Sequence, residues 1–137
     1  MKFTIPGEPC GKARPRVVRP NGVTTTYTPE KTANYESYVK LEFKQQCGIP
    51  FFTGPVSMEI VAYFGTPASA SKKKISSMLM GLLRPTKKPD CDNIIKIICD
   101  ALNGLAYKDD AQVVYVSLCK KYATVPRVEV SITEVIA

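Results

Sequence analysis

The sequence predicts one α/β (α+β) domain, a small β-sheet packed with two to three helices. Three observations carry that reading. The chain has 137 residues, close to the modal size of a single domain, so it can bury one core and a second domain is not expected. Its 45% hydrophobic and 23% charged residues are ordinary for a folded globular protein. Apolar residues recur at strand period near both ends and in the middle, and at helical spacing in between. No internal repeat and no low-complexity segment interrupts the pattern.

Lys2 to Ile5 reads as a short strand ending at Pro6. Gly7 to Gly22 holds three prolines and three glycines beside Lys12, Arg14, Arg16 and Arg19, which predicts an irregular loop or hairpin, the kind of segment where binding groups sit. Val23 to Tyr27 is β-branched and suits a return strand. Thr28-Pro29-Glu30 opens a helix, with Thr as N-cap, Pro at the first helical position and an acid in the first turn. Tyr35, Tyr38, Val39, Glu42, Phe43 and Cys47 continue the helical spacing to Gly48 and Pro50; the two tyrosines read as core or core-edge residues rather than base-stacking platforms. Val56, Met58, Ile60, Ala62 and Phe64 alternate with Ser57, Glu59, Val61 and Tyr63, a period-two strand that Thr66-Pro67 breaks. Ser71 to Leu83 is expected to be helical, with Lys72, Lys73 and Lys74 in its first turn, where cations oppose the helix dipole. Phosphate contact would explain lysines there; an exposed, mobile segment would also allow them. Arg84 to Pro89 reads as an extended linker, since a proline turns the preceding residue away from helix. Asp92 to Leu105 predicts a helix, and Val113 to Tyr122 and Arg127 to Val135 predict two strands. In the last, Val128, Val130 and Ile132 alternate with Glu129, Ser131 and Thr133, so one sheet face should meet solvent.

Nineteen Lys and Arg against twelve Asp and Glu leave a net charge of +7, which suits a polyanionic partner. The charge is uneven. Between Glu59 and Asp90 lie Lys72, Lys73, Lys74, Arg84, Lys87 and Lys88 and no acid, and the N-terminal loop holds a second basic cluster. Two solvated loops are the plain alternative. The five cysteines are odd in number and form no CxxC pair, and there is no histidine. A zinc centre, a Ser–His or Cys–His triad and a histidine general base are therefore not expected. The first residues lack the apolar stretch of a signal peptide and no run reaches transmembrane length, so a cytoplasmic protein with reduced thiols, acting without a membrane, is expected.

All five aspartates, Asp90, Asp92, Asp100, Asp109 and Asp110, fall within residues 87–113, whereas every other acid is a glutamate. Aspartate is the poorer helix former, so a solvated helical face has little reason to prefer it. A hard-cation site does, because a short carboxylate has less side-chain freedom to lose. On a helix from Asp92 to Leu105, Ile94, Ile95, Ile97, Ile98, Ala101, Leu102 and Leu105 share one arc. Asp92, Asn93, Lys96, Asp100 and Asn103 share the opposite one, with Cys99 at its edge. The apolar arc should pack on the sheet, and Asn103-Gly104 should end the helix.

The polar arc has two readings. In one it is simply exposed, with Asp92 capping the helix and pairing with Lys96. That leaves Asp90 and the Asp109-Asp110 pair unexplained. In the other, Asp90 and Asp92 converge at the helix entrance, and Asp110 reaches the same point if its strand lies beside the helix N-terminus. Three carboxylates plus water suit Mg²⁺, with Mn²⁺ as a substitute. Lys96 is then placed to stabilise charge on a scissile phosphate or to orient the attacking water. A D-x-D alone says little; D-x-D-N-x-x-K with a downstream D-D says much more.

The runs Lys88-Pro89-Asp90-Cys91-Asp92-Asn93-Ile94-Ile95-Lys96, Asp100-Ala101-Leu102-Asn103-Gly104 and Asp109-Asp110-Ala111-Gln112-Val113 resemble the signature of the RusA-type Holliday-junction resolvases, small and often phage-borne endonucleases. A looser likeness runs through Gly11-Lys12-Ala13-Arg14-Pro15-Arg16 and Tyr27-Thr28-Pro29, so the resemblance spans most of the chain. It implies a homodimer with a mixed sheet, Asp90, Asp92 and Asp110 as metal-binding acids, Lys96 as catalytic lysine, and paired symmetric nicks in a four-way junction during DNA recombination and repair. Asn93, Asp100 and Asp109 take supporting roles. Lys12, Arg14, Arg16, Lys72, Lys73, Lys74, Lys87 and Lys88 are the expected DNA contacts. Four-way-junction DNA is the expected partner, with no nucleotide cofactor. The competing readings are a metal-dependent nuclease acting on flaps, other branched DNA or RNA, and a non-catalytic basic DNA-binding protein.

Overall fold

A computed structural model of the chain describes residues 1–12, 16–18, 25–27, 30–48 and 50–136. In order these form β1 (Lys2–Pro6), β2 (Arg16–Val18), β3 (Thr25–Tyr27), α1 (Glu30–Cys47), β4 (Val56–Gly65), α2 (Lys72–Leu79), α3 (Cys91–Leu102), β5 (Val113–Ala123) and β6 (Arg127–Glu134), with a 3-10 turn at Asp110–Gln112 leading into β5. They make a single α+β domain. Four strands form a mixed sheet in the order β1-β6-β4-β5. The β1–β6 and β6–β4 pairs are antiparallel and β4–β5 is parallel. Strands β2 and β3 pair separately as an antiparallel hairpin, as the loop composition allows. The expected N-cap at Thr28-Pro29 lies outside the described residues.

Alternation in sequence becomes alternation in burial. Val56, Met58, Ile60, Ala62 and Phe64 of β4, Val128, Val130 and Ile132 of β6, and Phe3 and Ile5 of β1 are all buried on one face. Helices α1 and α3 cover that face through Val39, Phe43, Ile94, Ile97, Ile98, Ala101 and Leu102, all in the same core. Phe3 and Phe43 meet edge to face at 5.3 Å between ring centroids. Tyr35 and Tyr38 are half-buried against the core. The opposite sheet face carries Lys2, Glu59, Glu129 and Ser131 around a shallow hollow, which is the solvent-facing side expected from β6.

Parallel strands cannot be joined by a tight turn. The β4–β5 connection therefore crosses the sheet, and α3 is its return leg. Its direction matters below. Before α3, the Lys87 ammonium lies 5.7 Å from the ring centroid of Phe64, near the C-terminal end of β4. After α3, Tyr107 bridges to Phe52, ahead of the N-terminal end of β4. Helix α3 thus runs opposite to β4 and β5. Tyr107, fully buried, donates its hydroxyl to the Cys99 carbonyl at 2.8 Å and ties this end of the crossover down.

Two helices are shorter than expected. Helix α2 stops at Leu79, because Gly81 takes φ +82 and the chain turns there. Helix α3 begins at Cys91, with Asp90 rather than Asp92 as N-cap, and ends at Leu102, since Gly104 takes φ +74. Only glycine adopts that left-handed conformation cheaply, so it stops the helix here.

On the open face Arg127 donates to Glu129 at 3.0 Å and Lys2 lies 3.5 Å from the same carboxylate. Burial opposes ionisation of Glu129, but these two cations outweigh it and hold its pKa below the ordinary glutamate value. A depressed folded pKa gives stability that is present above the unfolded value and is lost as pH falls through the folded one. Thermal unfolding should therefore show Glu129→Gln less stable than the wild type at neutral pH. The two curves should converge as pH drops below about 4.5; a difference independent of pH would mean the carboxylate charge contributes nothing.

Candidate active site

Helix α3 presents the acids. Its apolar residues are buried, so its rotation is fixed and Asp92 and Lys96 face solvent. Asp90 is the N-cap, yet its side chain caps no backbone N–H. That carboxylate is free for another partner, beside the positive end of the helix dipole. Just ahead, the Lys88–Pro89 peptide is cis.

The N-terminal segment packs directly on this entrance. The Lys12 N–H donates to the Asn93 carbonyl at 3.1 Å. A Cβ at Gly11 would lie 2.8 Å from Cβ of Pro89 and 3.1 Å from Cβ of Asn93. The glycine is there for closeness of approach.

Lys12 was expected among the DNA contacts. The structure instead pairs its ammonium with Glu36, and with Asp100 at 3.4 Å, leaving the side chain 17% exposed. Burial disfavours its charge, but the two carboxylates more than compensate and raise its pKa. Arg14 and the Arg16 side chain lie outside the described residues. Lys72, Lys73, Lys74, Lys87 and Lys88 are exposed. Among the described residues no carboxylate pairs with any of the five.

Lys96 was expected to pair with Asp92 or to point back toward the helix entrance. It lies instead 3.7 Å from Asp100, one turn further along. Asp100 therefore collects both Lys96 and Lys12, a supporting role reached through a partner, Glu36, that sequence spacing does not reveal. Cys99, expected at the edge of the polar arc, is buried, and burial pushes its thiol up to about 11. It is no nucleophile.

Asp110 departs most from expectation. It sits in the turn before β5, where burial and then the carboxylates of Asp109 and Asp100 raise its pKa, while a hydrogen bond from the Asn103 side chain works against them. Asn103 is the C-cap of α3. Asp110 is thus at the far end of the helix from Asp90 and Asp92, because α3 runs opposite to β5. At about 1.5 Å rise per residue, the 12 residues of α3 put these ends roughly 18 Å apart. Accordingly, among the described residues no three acidic, Cys or His side chains are gathered to hold a metal ion. The donors suit a hard cation chemically: an uncapped carboxylate at Asp90, Asp92 beside it, and Asp110 crowded by like charge. They do not suit it geometrically within one chain.

The turn bearing Asp110 is held by Gln112. Its amide nitrogen donates to the carbonyls of Phe52 and Gly54, both at 3.0 Å, and its oxygen accepts the N–H of Lys108 at 2.9 Å. Sequence reading gave Gln112 no role. Its signal was only a polar residue at the foot of a strand.

Residues 6–133 match the family described as endodeoxyribonuclease RusA. The chain belongs to that family, and so to a class of DNA-cleaving hydrolases. It is also similar along its whole length to the uncharacterized protein YqaN of Bacillus subtilis strain 168. The two are 47% identical over 139 aligned residues, which cover 100% of this chain and 98% of the other. No helix among the described residues is long and apolar enough to cross a membrane.

The closeness of Gly11 to Pro89 is testable. Gly11→Ala forces a methyl into ring atoms that cannot swing aside, and should cost about 1–3 kcal/mol by urea unfolding. Gly48→Ala, with open space around its Cβ, should feel only the strain of its φ of +75. A Gly11→Ala protein of unchanged stability would show that the N-terminal segment does not pack on α3.

Proposed function

We propose that this protein is a Mg²⁺-dependent, structure-selective endonuclease that resolves four-way DNA junctions by paired symmetric nicks, in recombination and repair. One observation carries the reading. In a chain of the RusA endodeoxyribonuclease family, the N-cap carboxylate of α3 is withheld from capping and stands beside Asp92 at the end of a basic approach, Lys87 and Lys88.

In this reading Asp90 and Asp92, with an Asp110, hold Mg²⁺ or Mn²⁺. The ion supplies a water of lowered pKa and neutralises charge on the phosphate in flight. Lys96 is exposed and flexible enough to leave Asp100 for a phosphate oxygen, so Asp100 stores it between turnovers. Asn93 lends its carbonyl to the segment that closes the entrance. Asp109 crowds Asp110 and favours a cation beside it.

Lys72, Lys73 and Lys74 stand exposed on the first turn of α2, where the helix dipole opposes them; DNA phosphate relieves that opposition. Recognition then rests on phosphate positions and junction shape more than on base edges. No nucleotide cofactor takes part. Paired nicks require paired sites, so the active species is a homodimer. A reducing cytoplasm suits its free thiols.

Asp90→Asn and Asp92→Asn should each lower cutting of a synthetic four-way junction by roughly a hundredfold or more. Both should retain or tighten binding, since each removes a negative charge. Mg²⁺ should raise the Tm of the wild type and not of Asp90→Asn, because only a folded state that holds the ion is stabilised by it. Undiminished cutting by both variants would remove the acids from the mechanism.

A further inference from the structure

The acids at opposite ends of α3, together with an open strand edge, lead to one inference, which rests on the nuclease reading above. We propose that two copies of this chain pair antiparallel through β5, centred on Tyr115, and that each metal site is built in trans, from Asp90 and Asp92 of one copy and Asp110 of the other.

Strand β5 is an edge: it pairs with β4 and with no other strand. Its second half is already covered. Arg84 donates to the Lys120 carbonyl at 3.2 Å and to the Cys119 sulfur at 3.3 Å. Its first half is open and apolar, with Val114, Tyr115 and Val116 exposed at 61%, 59% and 37%. Three consecutive large apolar residues on an uncovered edge invite a further strand.

The backbone sets which pairings are allowed. Along a strand, successive residues turn their N–H and C=O groups to opposite sides. Since the Lys120 carbonyl points away from β4 to Arg84, Val114, Val116 and Leu118 point the same way. An antiparallel partner must then hydrogen-bond even-numbered residues to even-numbered ones. Centring on Tyr115 does so: Val114 faces Val116 of the other copy, and Leu118 faces Gln112. Tyr115 meets its own equivalent in a non-hydrogen-bonded pair, where side chains come closest.

The same register is complementary in charge. It sets Lys120 opposite Asp110, and Lys121 opposite Asp109, in both halves of a two-fold interface. Shifting the centre to Val114 or Val116 breaks that match.

The register also closes the gap between the acids. Lys120 marks the end of β5 nearest the entrance of α3 in its own chain, since its ammonium donates to the Lys87 carbonyl at 2.6 Å. An antiparallel partner turns that end toward the other copy's Asp110. The two-fold axis stands perpendicular to the joined sheet, so both α3 helices lie on one face, side by side and antiparallel. The entrance of each then falls level with the far end of the other, where Asp110 is.

The test combines two full-length variants. Asp90→Asn and Asp110→Asn are co-expressed with different affinity tags, and the mixed dimer is purified through both. Each copy alone is inactive. In trans assembly the mixed dimer keeps one whole site and should nick a junction at roughly half the wild-type rate; in cis assembly both sites are broken and it should not cut.

Independently, Tyr115→Cys in a Cys91→Ser, Cys119→Ser background should form a disulfide-linked dimer on mild oxidation. Val114→Cys and Val116→Cys should cross-link only when mixed with each other. An active wild type with a dead mixed dimer overturns the trans site and leaves the nuclease reading intact. Failure to recover any mixed dimer, or absence of the Tyr115→Cys cross-link, overturns the interface. A wild type that never cuts defeats the nuclease reading, and the cross-link pattern then decides the interface alone.

Discussion

Burial of one side of α3 against the sheet is the constraint on which the rest depends. Ile94, Ile97, Ile98, Ala101 and Leu102 are completely buried, and large apolar side chains in such positions contribute about 1.5–3 kcal/mol each by removal from water. No rotation of the helix keeps all of them covered except the one observed. That rotation turns Asp92 and Lys96 outward, sets Asp90 at the helix mouth and leaves Asp100 level with the loop that returns to β5. The acidic surface of α3 therefore follows from its apolar one. Tyr107 and Gln112 then fix the chain just after the helix, so that the turn bearing Asp110 is as firmly placed as the helix itself.

The charge distribution has a matching logic. A protein of net charge +7 repels itself and attracts DNA, yet its most basic segments are not used for internal pairing. Lys72, Lys73, Lys74, Lys87 and Lys88 remain exposed without carboxylate partners among the described residues. Lys12 is different: it is drawn inward by Glu36 and Asp100 and serves the fold. What distinguishes a cation available to phosphate from one held by the protein is thus the nearest carboxylate in space, and sequence proximity did not report it.

Much of the fold was legible because it rests on local periodicity. The alternation in β4 and β6, the amphipathic pattern of α3 and the glycines at 48 and 104 each act within a few residues, and each appears as expected. Helix ends slipped by one to four residues, since Gly81 and the withheld Asp90 side chain act through backbone conformation rather than pattern. The site was legible in its residue types and less so in its assembly. Asp90, Asp92 and Asp110 share a motif, but the parallel β4–β5 pairing forces α3 to run back along β5 and separates them. Topology decides that, and one sequence read in isolation does not contain it. The partners of Asp100 and Gln112 were hidden for the same reason, being contacts across tens of residues.

The central claim is that this chain cuts branched DNA in pairs. It is tested most directly by incubating the wild-type protein and Mg²⁺ with a synthetic four-way junction labelled on each strand in turn, and mapping the products. The account predicts nicks at symmetry-related positions on two opposing strands, yielding two linear duplexes whose ends can be religated, with little cutting of linear duplex of the same sequence. Equal cutting of the linear duplex, nicks without two-fold symmetry, or an intact junction at saturating protein and Mg²⁺ would contradict it.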